Sequence, residues 1–274
     1  DDDTTIVVGS AICYPYGVVD PIEEIAALAD ARGILMHVDA CLGGFMLPFV
    51  SKLGYEVPIW DFRAQGVTSI SADVHKYGYA AKGASTVSYR DSTLRKHQFY
   101  AYPDWPGGLY VTPTMAGARP GGAVAAAWAV MHHLGEEGYV ELARAAMDAT
   151  NRIKAGIESI EGLRIMGEPH MSVFAFDSDE VNVFALGEKM DERGWHLDRN
   201  QFPSALHMMV TPAHADVSEQ LLADLRTAMK ETRESPTSSA EGMAALYGAA
   251  AAMPDRGAVS DFAIDFMDQL YTVS

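Results

Sequence analysis

Residues 5–38 limit the fold of this chain more than any other stretch. Thr5-Ile-Val-Val-Gly-Ser10 is a continuous apolar run of strand length. Asp20-Pro21-x-Glu23 follows with the chemistry of a helix start: Asp20 is placed to cap, Pro21 to occupy the first helical position, and Glu23 to favour the first turn. Ile22, Ile25, Ala26 and Ala29 then share one helical face, and Gly33 stops the helix. Ile34–Val38 is a second apolar strand. The unit is therefore β-α-β. Strands that are apolar throughout imply a parallel sheet covered on both faces.

Val67–Ser71 and Ala84–Tyr89 read as two more strands, joined by a segment that contains His75-Lys76. Residues 91–115 are rich in turn chemistry, above all Tyr102-Pro-Asp-Trp-Pro-Gly-Gly108, and are expected to be loops. Gly121-Gly122 opens an Ala-, Trp- and Met-containing helix to about Leu134. Gly135 punctuates it, and a second helix runs from about Tyr139 to Ser159. The pattern then changes to mixed α and β. Leu163–Met166, Val173–Phe176 and Leu206–Val210 read as strands; Val183–Arg193 and Ser218–Glu231 read as helices, the latter on Leu221, Leu222, Leu225, Ala228 and Met229. Glu234–Ser239 has linker composition, and a last helix is expected near Val259–Leu270.

These elements predict an α/β chain, with a mainly parallel sheet flanked by helices and a smaller α+β C-terminal domain. The expected divisions are 1–150 for the large domain, 151–233 for the small one, and 234–274 for a linker and tail helix. The chain begins almost directly on a core strand. A doubly wound sheet ordinarily places further strands and a phosphate-binding turn before such a point, so a preceding segment or complementary chain is expected.

With 49% apolar residues, the chain can build a sizeable core. Its formal net charge of −17 repels phosphate backbones, so nucleic acid is an unsuitable partner. The two cysteines, Cys13 and Cys41, lack metal-binding spacing and read as free thiols of a reducing compartment. The longest apolar stretch, around Ala123–Met131, is far short of the roughly 20 residues a spanning helix needs. A soluble, cytoplasmic protein is expected.

Chemistry concentrates at strand ends. His37-Val-Asp39-Ala closes the second strand, at the edge where open α/β sheets bind ligands. Alone, Asp39 also reads as the cap of the next turn. Ser71-Ala-Asp-Val-His75-Lys76 follows another strand. Burial there would lower the lysine pKa and make the amine nucleophilic. Alone, Lys76 also reads as a loop lysine. Together they suggest an amine that forms a Schiff base and a carboxylate that keeps a pyridine nitrogen protonated. Lys82-Gly83 lies close enough to return to the same pocket and bind an anion, and Tyr14 sits at the same sheet edge as Asp39. Gly117-Ala118-Arg119 belongs to a Gly-rich turn that opens a helix and can bind an anion through backbone N–H groups.

Three runs, His37-Val-Asp-Ala-Cys-Leu-Gly-Gly-Phe45, Ser71-x-Asp73-x-His75-Lys76-Tyr-Gly-Tyr79 and Gly117-x-Arg119-Pro-Gly-Gly122, resemble the fold-type I pyridoxal 5'-phosphate enzymes of the group II decarboxylase clan. Within that clan the chain resembles the sphingosine-1-phosphate lyases of the prokaryotic type. Gly9-Ser-Ala-x-x-Tyr14-Pro-x-Gly-Val-x-Asp20-Pro-Ile and Tyr247-Gly-x-x-x-x-Met253-Pro-Asp-Arg256 carry that narrower likeness. The resemblance implies that Lys76 carries the cofactor, Asp39 holds its ring nitrogen, His75 meets its phosphate and Cys41 packs on one ring face. It implies Tyr14 and Lys82 for substrate phosphate and proton transfer. It also implies a homodimer in which the turn at Gly117 and Ala118 reaches the other subunit's cofactor. Ala118 departs from the serine expected there, which leaves the backbone contacts and removes a hydroxyl. The implied reaction is retro-aldol C2–C3 cleavage of a phosphorylated sphingoid base to a fatty aldehyde and phosphoethanolamine. An amino-acid decarboxylase with the same Lys76/Asp39 pair is the alternative. An inactive fragment is a second, because the resemblance places a phosphate-cradling turn and a ring-stacking residue before Asp1.

Overall fold

The computed structural model describes residues 1–234 and 253–272. Its contacts divide the chain into two compact units. The first comprises Asp1–Thr150, Gly167–Phe174 and Val210–Ala215; the second comprises Asn151–Met166, Ala175–Met209 and Asp216–Ser274.

The first unit is built on a four-stranded sheet in sequential order. Its strands are β1 (Ile6–Ser10), β2 (Leu35–Asp39), β3 (Ser69–Ala72) and β4 (Thr86–Tyr89). β1, β2 and β3 are parallel, and β4 closes the edge antiparallel to β3. Helix α1 (Ile22–Arg32) makes the β1-to-β2 crossover. It buries Ile22, Ala26 and Ala29 and ends on Gly33 in the left-handed conformation (φ 66°). Asp20 does not cap α1. Its carboxylate accepts the Ser10 N–H at 2.7 Å, so the side chain ties the turn back to the end of β1 instead.

Register puts Val7, Gly9, Met36, Val38 and Ile70 on one sheet face and Ile6, Val8, Leu35, His37, Asp39, Ser69 and Ser71 on the other. The first face packs into the core with α1 and α2 (Leu47–Lys52). Among the described residues the second is open: Ile6 is 47% exposed, Val8 61% and Leu35 44%. Of the cover expected on both faces, the described residues supply that of the first.

The loop expected over 91–115 holds a short helix α3 (Ser92–Arg95), capped by Asp91, and a hairpin of β5 (Tyr100–Tyr102) and β6 (Tyr110–Thr112). Its strands have three residues each, too short for periodicity to show. Helix α4 (Gly121–Glu158) is interrupted at Gly135, whose φ of 58° and ψ of −174° are not helical.

The second unit has an antiparallel sheet in the order β7-β8-β10-β9, from β7 (Leu163–Ile165), β8 (Val173–Ser178), β9 (Asp198–Gln201) and β10 (Ser204–Met209). Asn182 caps α5 (Val183–Asp191) by accepting from Phe184 and Ala185 N–H. Helix α6 (Ser218–Glu234) buries Leu221, Leu222, Leu225, Ala228 and Met229, the five residues its periodicity picks out. Helix α7 (Arg256–Tyr271) is capped by Asp255 and spans the expected Val259–Leu270. The expected linker falls outside the described residues except for Glu234, the last residue of α6.

Candidate active site

The carboxyl ends of β2 and β3 converge because their pairing continues into the following turns. Ala40 N–H donates to Ser71 O (3.0 Å), and Asp73 N–H donates to Cys41 O (3.3 Å). β1 joins the same edge through Ala11 N–H to Asp39 O at 2.9 Å. Asp39, Cys41 and Lys76 thus come from two successive strand ends. Asp39 Oδ1 accepts the Cys41 N–H (3.0 Å) and the Ser71 hydroxyl (3.3 Å); neither of these takes Oδ2.

Lys76 is partly open, with a side chain 33% exposed, and its amine lies 3.0 Å from Asp73 Oδ2. Cys41 is its other side-chain partner. Desolvation pulls the Lys76 amine down, but Cys41 and Asp73 outweigh it, so its pKa is raised. The sequence reading expected a lowered value; the acidic neighbour three residues earlier reverses the sign. Burial pushes the Cys41 thiol up, with Lys76 pulling it back and Asp39 adding to the rise. Burial also raises the Asp73 carboxyl, but the Ser85 hydroxyl, Lys76 and His75 together hold it below its ordinary range. Asp73 was absent from the sequence-predicted site. Its signal was its place three residues before the lysine in a turn.

That turn is pinned from several sides. Gly78 passes so close to Val74 that a Cβ would sit 2.4 Å from the Val74 carbonyl oxygen. Tyr77 is buried; its hydroxyl donates to Val210 O (3.1 Å) and accepts from Ser172 Oγ (2.7 Å). Tyr139 donates to Gly78 O at 2.8 Å and stacks on Phe49 with ring centroids 5.0 Å apart. Burial, aided by Tyr139, pushes the Tyr79 hydroxyl up to about 12. Phenols held neutral in this way serve as scaffold for the lysine turn.

The remaining predicted residues are placed less closely. His75 Nδ1 lies 2.9 Å from Ala84 O, while Nε2 is 3.8 Å from Asp73 Oδ2. Tyr14, in the turn after β1, is 47% exposed. Lys82 is exposed, not buried in a pocket with Lys76. Gly117, Ala118 and Arg119 are exposed as well; Gly117 has a φ of 68°. Among the described residues there is no group of side chains suited to hold a metal.

A lysine amine, a carboxylate with one oxygen uncommitted to these hydrogen bonds and a thiol form a donor set that fits an aldehyde-bearing pyridine. Residues 5–178 match the pyridoxal-dependent decarboxylase conserved domain. The chain belongs to that family. Proteins similar to this chain include the sphingosine-1-phosphate lyase of Arabidopsis thaliana, 49% identical over 269 residues, or 98% of this chain and 49% of that protein. The sphingosine-1-phosphate lyase 1 of Rattus norvegicus is 43% identical over 274 residues, covering 98% of this chain and 48% of that protein. The chain spans about half the length of the curated relatives it matches. The solved sphingosine-1-phosphate lyase of Burkholderia pseudomallei superposes with a TM-score of 0.88 at 38% identity, over 100% of this chain and 58% of that one. A glutamate decarboxylase from Lactobacillus brevis shares the fold at 20% identity and a TM-score of 0.70, over 83% of this chain and 55% of its own. The fold is therefore the fold-type I architecture of this family, as the resemblance implied.

Proposed function

We propose that this chain contributes the lysine-bearing site of a pyridoxal-phosphate lyase that cleaves phosphorylated sphingoid bases into a fatty aldehyde and phosphoethanolamine. The observation that carries the reading is the convergence of Asp39, Cys41 and Lys76 at the ends of β2 and β3, in a chain 49% identical to a protein of that activity.

Pyridoxal phosphate, when bound, supplies a carbonyl that captures an amine and a ring that accepts the electron pair of a breaking C–C bond. Lys76 would hold it through Nζ, Asp39 through Oδ2 at the ring nitrogen, Cys41 at a ring face and His75 at the phosphate. Asp73 serves as the resting partner of the Lys76 amine. Tyr14, in the turn that follows β1, would move a proton on the substrate. Lys82 would meet the substrate phosphate at the mouth of the site. The exposed turn at Gly117, Ala118 and Arg119 supports a homodimer in which this segment reaches the other subunit's cofactor.

Residues 1–150, which make up most of the first unit, would form part of the large cofactor-binding domain, with 151–233 as the small domain and 234–274 as the linker and tail helix. No helix among the described residues is long and apolar enough to cross a membrane. Two free cysteines support a reducing, cytoplasmic setting.

The test is product analysis. Incubation with a phosphorylated sphingoid base should release aldehyde and phosphoethanolamine without carbon dioxide. Release of carbon dioxide from an amino acid, with no aldehyde from the lipid, would assign the decarboxylase reaction instead.

Lys82→Ala should lower kcat/KM for the phosphorylated base by roughly 3- to 10-fold and leave unphosphorylated amines unaffected. The effect is modest because an exposed amine is screened by water and salt. Equal losses on both substrates would make Lys82 structural.

Asp73→Asn removes a carboxylate that raises the Lys76 pKa, so it should lower that pKa and enlarge the neutral, attacking fraction of the amine. The rate at which apoprotein attaches pyridoxal phosphate should then reach its half-maximum at a lower pH than in the unsubstituted protein. An unchanged or higher midpoint would remove Asp73 from this role.

A further inference from the structure

The open face of the sheet carries a line of polar groups running across β2 and β3 to Asp39. His37 Nδ1 is 2.9 Å from Ser69 Oγ, His37 Nε2 is 3.1 Å from Ser71 Oγ, and Ser71 Oγ is 3.3 Å from Asp39 Oδ1. The pleat makes this possible: His37 and Asp39 are two apart on β2, and Ser69 and Ser71 are their partners on β3, so all four share one face.

The proton positions follow from what each group can do. An ionised carboxylate only accepts, so the single Ser71 proton points to Asp39. Ser71 Oγ must then accept from His37, which makes Nε2 the protonated nitrogen. Nδ1 of the neutral ring is an acceptor, and Ser69 donates to it. Desolvation lowers the His37 pKa against the opposing pull of Asp39 on its own strand, which favours the neutral ring this pattern requires. On the neighbouring strands its register partners are Val8 and Ser69, neither of which titrates in this range.

We propose that His37 is a positioning residue for the ring-nitrogen contact: through Ser71 it fixes Asp39 Oδ1, and so presents Oδ2 to the pyridine nitrogen of the cofactor. Asp39 has two oxygens and a rotatable bond. The Cys41 N–H and the Ser71 hydroxyl both hold the same oxygen, and the second of these is aimed by a histidine whose own tautomer is set by Ser69. This inference rests on the proposed use of pyridoxal phosphate at Lys76, and extends it to residues that do not touch the cofactor.

The test reads the ring nitrogen directly. Protein loaded with cofactor labelled with nitrogen-15 in the pyridine ring is titrated with pH and followed by NMR. In the unsubstituted protein the nitrogen should stay protonated through neutral pH. His37→Phe and Ser71→Ala should each lower the pH at which it loses its proton by about one unit, a tenfold loss of proton affinity. The double variant should lose no more than either single one, because both act through one chain of bonds. Ser71→Thr keeps the hydroxyl and should restore the unsubstituted titration. Titrations unchanged in both single variants would overturn the relay, as would a Ser71→Thr variant that behaves like Ser71→Ala. Asp39→Asn separates the two claims: if it too leaves the titration unchanged, or if no labelled cofactor attaches to Lys76, the cofactor reading fails and not merely the relay.

Discussion

Lys76→Ala is expected to abolish covalent capture of pyridoxal phosphate and to lower turnover by roughly 10³-fold or more, equivalent to about 4 kcal/mol of barrier. Only an amine can make the link, and Lys76 is the lysine placed against both Cys41 and Asp73 at the end of β3. Borohydride reduction of the unsubstituted protein, followed by peptide mapping, should put the pyridoxyl group on Lys76. In Lys76→Ala the label should vanish. Lys82 stands six residues further on but is exposed, so it should not substitute for the missing amine. A label recovered on Lys82, in either protein, would overturn the assignment. Attachment by the unsubstituted protein should also quicken as pH rises. The raised Lys76 pKa keeps most of the amine protonated near neutrality, and only the neutral form attacks.

Asp39→Asn is expected to lower turnover by roughly 10² or more, about 2.7 kcal/mol of barrier, while the fold and the Lys76 link persist. The substitution keeps shape and loses charge. An asparagine oxygen can still accept from Ser71 and from the Cys41 N–H, which turns the amide nitrogen to where Oδ2 stood. That nitrogen donates where a protonated ring nitrogen also needs to donate, so the ring is driven to its unprotonated form and accepts electrons poorly. Single-turnover rates with the phosphorylated base would measure the loss. Near-normal turnover would remove Asp39 from the role.

How far the sequence leads depends on whether a signal is local. The crossover from β1 through α1 to β2 is legible because strand runs, helix face and the Gly33 stop all lie within 34 positions. The buried stripe of α6 is legible for the same reason. Asp39 stands out because it ends a strand, and Lys76 because it follows one in a short turn. The sign of the Lys76 pKa shift is not legible. It depends on Asp73 swinging back within the turn and on Cys41 arriving from another strand end. Asp20 looks like a helix cap by its neighbours in sequence, yet Ser10 competes for its carboxylate and holds it. β9 escapes because Asp-Arg-Asn-Gln has no apolar alternation; its partner β10 supplies the pairing. The relay through His37 needs strand register as well as spacing, since Ser69 and Ser71 are brought to it by β3.

The hydroxyl of Tyr77 has a consequence for the order in which the site can be made. Tyr77 follows Lys76 directly in sequence, but the acceptor of its hydroxyl is the carbonyl of Val210, 133 positions later in the chain. At ribosomal rates of about 5–20 residues per second, roughly 7–27 s separate the emergence of the two. During that interval the lysine turn lacks this tether, whatever local structure it has acquired. A cofactor site at Lys76 would therefore mature late in synthesis, and cofactor offered to a nascent chain cut before Val210 should be captured less firmly than by one that includes it.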